Sequence, residues 1–171
     1  MALIRVMIRA TDYRKWLRLN TNASDLMKDP FGYDGQPISV YSVASEIDEA
    51  KATAAHYLTM VPPRLSLEIL SVLRIEPRDL EGLEMVVSET EGATGIVHVD
   101  NMHRDLIGNG DAFRNLTERL MDAVRHGEDR LRVVGPIQIK HQIEEFIRLT
   151  HTDVSDHARD RCQMLLERSG E

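Results

Sequence analysis

The chain has 171 residues, 42% of them hydrophobic and 29% charged, with one cysteine and a formal net charge of −7. That composition suits a globular domain and excludes a disordered, collagenous or disulfide-stapled chain, while the lone thiol excludes a cysteine-based zinc finger. No apolar run approaches the length of a membrane span, and a net acidic domain is a poor general binder of nucleic acid.

The charge is uneven. Residues 1–28 hold six cations (Arg5, Arg9, Arg14, Lys15, Arg18, Lys28) against two anions, net +4, which leaves −11 for the remainder. Such asymmetry fits an anionic partner or a self-association surface, although most basic patches are simply solvated. Arg5 and Arg9 interrupt the first apolar stretch, so it does not read as a secretion signal, and a cytoplasmic protein is expected.

In chain order, Leu3 to Arg9 alternates as a strand, with Ile4, Val6 and Ile8 on one face. Thr11 is placed to cap a short helix holding Tyr13, Trp16, Leu17 and Leu19. Residues 29–37 carry turn formers at nearly every second position and read as a loop. Its Phe31 and Tyr33 are candidate anchors for a partner, together with Arg14, Lys15, Trp16 and Arg18. Ile38 to Val43 is a β-rich run. Ser45 follows as a helix cap, with Asp48 at the third helical position, and Pro62 and Pro63 stop the helix. This β–cap–helix unit is the clearest supersecondary signal.

Leu65 to Ile75 is predicted as a strand between Pro63 and Pro77, followed by a turn of helix at Asp79 to Leu83. Met85 to Ser88 and Ile96 to Val99 are predicted as two short strands joined by the wide loop Glu89 to Gly95. After Asp100 the pattern is mostly helical. Asp111 caps a helix bearing Phe113, Leu116, Leu120 and Val124, which Gly127 ends. Leu131 to Val134 reads as a short strand. Gly135-Pro136 opens a helix with the stripe Ile139, Ile143, Phe146 and Ile147. A last helix runs from about Val154 to Arg168 with Ala158, Cys162, Leu165 and Leu166 inward, where Cys162 acts as a small core hydrophobe.

Strands before residue 100 and helices after it predict a single α+β domain over residues 1–171, with 102–171 mostly helical. A sheet of about five strands is expected. The strand–helix unit at 38–60 keeps a partly parallel α/β sheet as the alternative.

The densest set of chemically capable side chains is His98, Asp100, His103 and Asp105. If Ile96 to Asp100 is extended, His98 and Asp100 share a face at the strand's end, and His103 can swing toward them. Imidazole plus carboxylate is a proper ligand set for Zn or Mn, whose bound water hydrolyses esters or phosphoesters. His103 then serves as third ligand or general base, with Asp105 orienting it. The competing reading is structural: Asp100 or Asn101 caps a helix starting near Met102, and Asp105 complements its dipole. His103-Arg104-Asp105-Leu106 spells the start of a kinase catalytic loop, but no further kinase motif accompanies it.

No catalytic set is complete in the sequence. The leading expectation is therefore a non-enzymatic cytoplasmic binding or regulatory module, acting through a protein partner or self-association without a cofactor. A metal-dependent hydrolase at His98, Asp100 and His103 is the rival. Duplex binding by the last two helices is a third idea, disfavoured because residues 125–171 are close to neutral.

Overall fold

The computed structural model describes residues 1–8, 37–60 and 70–168. Its strands are β1 (Ala2–Ile8), β2 (Ile38–Val43), β3 (Leu70–Ile75), β4 (Met85–Glu89), β5 (His103–Gly108) and β6 (Leu131–Val134). The helices are α1 (Glu46–Met60), α2 (Pro77–Leu80), α3 (Val97–Asp100), α4 (Gly110–Arg125), α5 (Pro136–Arg148) and α6 (Asp156–Arg168).

Local chemistry sets these boundaries. The Ser45 hydroxyl accepts from the Asp48 amide at 3.1 Å, and the Asp48 carboxylate accepts back from the Ala44 amide at 3.3 Å, so α1 starts where the capping pattern lies. At α4 the cap is Asn109, two residues before the expected Asp111; its side-chain oxygen accepts from the Ala112 amide at 2.8 Å. Gly127, at φ 80°, ends that helix as expected. Pro136 opens α5 at a position with no N–H to lose.

The six strands form one sheet in the order β4-β5-β2-β1-β3-β6, and every pairing is antiparallel. The fold is thus α+β with one more strand than expected, and the partly parallel alternative is overturned. The signal behind that alternative has a physical origin. β2 and β3 are both antiparallel to β1 and so run parallel to each other, with α1 between them in sequence. β1 lies between them, making a split β–α–β unit in which no two parallel strands touch.

Helices cover both faces. On one, Ile4, Val6, Tyr41, Val43, Leu70 and Val72 pack against α1, α5 and α6, where Ile139, Ile143, Phe146, Ala158, Cys162 and Leu165 point inward. On the other, Leu3, Ile38, Val40, Leu73, Ile75 and Leu106 meet Phe113, Leu116 and Leu120 of α4. Those three α4 side chains recur at helical spacing, and burying each contributes about 1.5–3 kcal/mol. Cys162 is the core hydrophobe expected, and burial pushes its thiol up to about 12. Among the described residues no helix is long and apolar enough to cross a membrane.

Candidate functional site

The expected strand at Ile96 to Val99 does not form. Ile96 makes one isolated antiparallel bridge with Val154, and the chain then coils through the single turn α3. Asp100 closes this loop. Its Oδ1 accepts from the Thr94 amide at 2.8 Å and the Thr94 hydroxyl at 2.6 Å, and its Oδ2 accepts from the Gly95 amide at 3.1 Å. Gly95 is required there: its φ is +76°, and a Cβ would lie 2.3 Å from the Ser155 hydroxyl oxygen. Ile96 and Val99, three apart, are both buried, so a helical turn serves this apolar pair better than an extended strand would.

His98 and Asp100 therefore do not share a strand face. His98 sits on the surface, its Nε2 3.1 Å from Asp48 Oδ1 on α1. That hydrogen bond, ahead of those from Ser45 and Ala44, holds the Asp48 carboxyl below the usual range. The segment predicted as the start of a helix near Met102 is instead β5, so His103 and Asp105 are strand residues rather than first-turn residues. Among the described residues no three His, Cys, Asp or Glu side chains converge to hold a metal, and His98, Asp100 and His103 each engage different partners.

His103 is at the centre of a different constellation. The β2–β5 register sets Tyr41 opposite His103 and Ser39 opposite Asp105, which puts all four on one face of the sheet. His103 Nε2 lies 2.7 Å from Ser39 Oγ, and its Nδ1 lies 2.8 Å from Thr90 Oγ1, just beyond β4. The Tyr41 phenol lies 2.9 Å from His56 Nδ1 on α1. The Tyr41 ring meets both imidazoles edge-on, each with centroids 5.6 Å apart. Arg5 Nη1 donates to the Ser39 carbonyl at 2.7 Å. Two hydrogen-bonded sets thus adjoin on this face: half-buried Thr90, His103 and Ser39, and beside them Tyr41 with His56 in the core.

Burial dominates the inner end. It raises the Tyr41 pKa, assisted by the charge of Asp100, so the phenol keeps its proton. Burial also pulls His56 down to about 4, reinforced by Arg5 and His103. His56 is 8% exposed, and its Nε2 has no hydrogen-bond partner among the described residues. Outward on the same face, Asp105 stands opposite Ser88, and Val86 opposite Ile107, the last pair exposed.

Sequence reasoning singled out His103 and Asp105 but missed Ser39, Tyr41, His56, Thr90 and Arg5. Those groups lie far apart in the chain and match no spacing motif. The alternation of Ser39 and Tyr41 with Ile38 and Val40 was the available sign that β2 carries a polar side. The candidates Arg14, Lys15, Trp16, Arg18, Phe31 and Tyr33 lie outside the described residues.

A second feature is the sheet's outer edge. Among the described residues β4 ends the sheet beyond β5, with Val86 61% and Val87 40% exposed. Met85 to Ser88 carry no charge or proline, devices that protect an open edge, although the exposed Glu89 ends the strand. The opposite edge, β6, is shorter, and its Arg132 is engaged with Asp129, Glu46 and Glu49.

No family model matches the chain, and no curated protein or solved structure shows a match to it.

Proposed function

We propose that the protein is a cytoplasmic binding module that acts by associating with a second copy of itself across β4. The observation that supports this reading is the open edge of β4, five residues of antiparallel strand with two exposed valines at its centre. A two-fold axis normal to the sheet through Val86 or Val87 pairs β4 with its own copy, as isologous association requires. Through Val86, Val87 meets Met85 and Glu84 meets Ser88. Through Val87, Val86 meets Ser88 and Met85 meets Glu89. Neither register sets acid against acid, and the added strand continues the antiparallel order of the sheet.

The test is the molar mass in solution across the micromolar range, by light scattering or sedimentation. The wild type is expected to shift from monomer to dimer with concentration. Val87→Lys, which places a charge at the edge, is expected to weaken association at least tenfold, about 1.4 kcal/mol. Val133→Lys on the β6 edge serves as control and leaves association unchanged. A wild type that stays monomeric throughout, or association indifferent to Val87→Lys, overturns the reading.

A further inference from the structure

The same face of the sheet carries a nucleophile, a base and an orienting group in hydrogen-bonded sequence. We propose that Ser39, activated by His103 and with His103 oriented by Thr90, is an acyl-accepting nucleophile that hydrolyses small uncharged esters with an apolar acyl group. This site adjoins the β4 edge at Val86, but its nucleophile and base do not depend on association there.

The geometry carries the assignment. Ser39 Oγ and His103 Nε2 are 2.7 Å apart, the reach required between nucleophile and base, and Thr90 Oγ1 holds the other ring nitrogen at 2.8 Å. In one tautomer of His103 the serine hydrogen bond runs toward the base. There Ser39 O–H donates to His103 Nε2, and His103 Nδ1–H donates to Thr90 Oγ1. In this tautomer the serine proton points at the base, ready for transfer as Oγ attacks. Arg5 fixes the backbone at the nucleophile by donating to the Ser39 carbonyl.

Ser39, Thr90 and His103 are half-buried rather than sealed. The neighbours on the same face set the substrate class. Val86 and Ile107 form an exposed apolar strip beyond Ser88 and Asp105, suited to a short acyl chain. The Asp105 carboxylate disfavours an anionic substrate.

The step balances without a further reactant. Ser39 Oγ bonds to the acyl carbon as the bond to the leaving oxygen breaks. His103 takes the serine proton and passes it to the leaving alkoxide or phenoxide. Water then attacks the acyl–serine, giving one proton to His103 and the carboxylic acid as product. That proton returns to Ser39.

The experiment is reaction of the wild type with a fluorophosphonate probe, followed by peptide mapping, alongside release of p-nitrophenol from p-nitrophenyl butyrate. A single adduct on Ser39 is expected. Hydrolysis is expected to fall to background in Ser39→Ala and by about 10²–10⁴-fold in His103→Gln. Ser39→Cys provides a readout that needs no alanine variant to fold. The introduced thiol is expected to react with iodoacetamide at least tenfold faster with His103 present than in the Ser39→Cys/His103→Gln double variant, while buried Cys162 stays unreacted. Thr90→Val, altering a positioning residue, is expected to lower kcat with KM unchanged. Absence of an adduct on Ser39 at saturating probe, or ester hydrolysis that survives Ser39→Ala in folded protein, overturns the assignment.

Discussion

Acid should unfold this protein partly through one side chain. His56 has an ordinary value near 6.5 and is held at about 4 in the folded chain, first by burial and then by the charges of Arg5 and His103. Between those pH values the unfolded state binds a proton that the folded state refuses. The stabilisation is therefore complete above about pH 6.5 and lost as the pH falls toward 4, below which both states are protonated and the term is constant. A depression of roughly two and a half pH units corresponds to about 3 kcal/mol. Because His56 is buried, little of this is screened by solvent. Urea unfolding at a series of pH values measures it, with His56→Gln as the reference because glutamine can still bond Tyr41 but does not titrate. The difference in unfolding free energy between wild type and variant should shrink by about 3 kcal/mol from pH 7 to pH 4, in the sense that only the wild type loses it. A difference that changes by less than about 1 kcal/mol would refute the argument and show that His56 accepts a proton in the folded state.

Two further predictions concern the frame. Arg130 is 2% exposed, with Nη1 3.1 Å from the Asp79 carboxylate and Nη2 3.0 Å from Glu128. Arg130→Met should cost about 3–5 kcal/mol in denaturant unfolding because Asp79 is left buried without its cation, and adding Asp79→Asn should restore most of it; a single-variant loss under about 1 kcal/mol would contradict this. Gly95→Ala should cost about 2 kcal/mol or more, since its methyl group meets Ser155, whose hydroxyl also caps α6 at the Ala158 amide. Thermal unfolding measures that loss, and a variant within about 0.5 kcal/mol of wild type would show that the loop adjusts freely.

The elements read most clearly in the sequence are those where one local signal agrees with the packing. Ser45 and Asp48 start α1, Gly135-Pro136 starts α5, and the stripes of α5 and α6 bury as read, with Ile147 and Leu166 packed at the margin of the core. The failure lies between residues 96 and 108. The run Ile96-Val97-His98-Val99 has β-branched character, but Asp100 folds it into a turn by accepting three hydrogen bonds from Thr94 and Gly95. Asp100 and Asn101 resemble a helix start, whereas Asn101 closes α3 and the chain straightens into β5. β5 was hidden because its residues His103 and Asp105 are polar: they face a polar patch made by Ser39, Ser88 and Thr90, contributed by β2, β4 and the residue after it. Such a strand has no hydrophobic alternation to betray it. The site was illegible for the same reason, since partners 64 residues apart meet only through sheet register.

The strand order has a consequence for biosynthesis. β2 is made early and finds β1 as one neighbour, but its other neighbour, β5, is still inside the ribosome when β3 emerges. Until Gly108 has been translated, the nascent chain carries Ile38–Val43 with one side unclaimed, in the interior of the future sheet. Ribosome stalling or truncation before that point therefore leaves an adhesive strand that the finished molecule never displays.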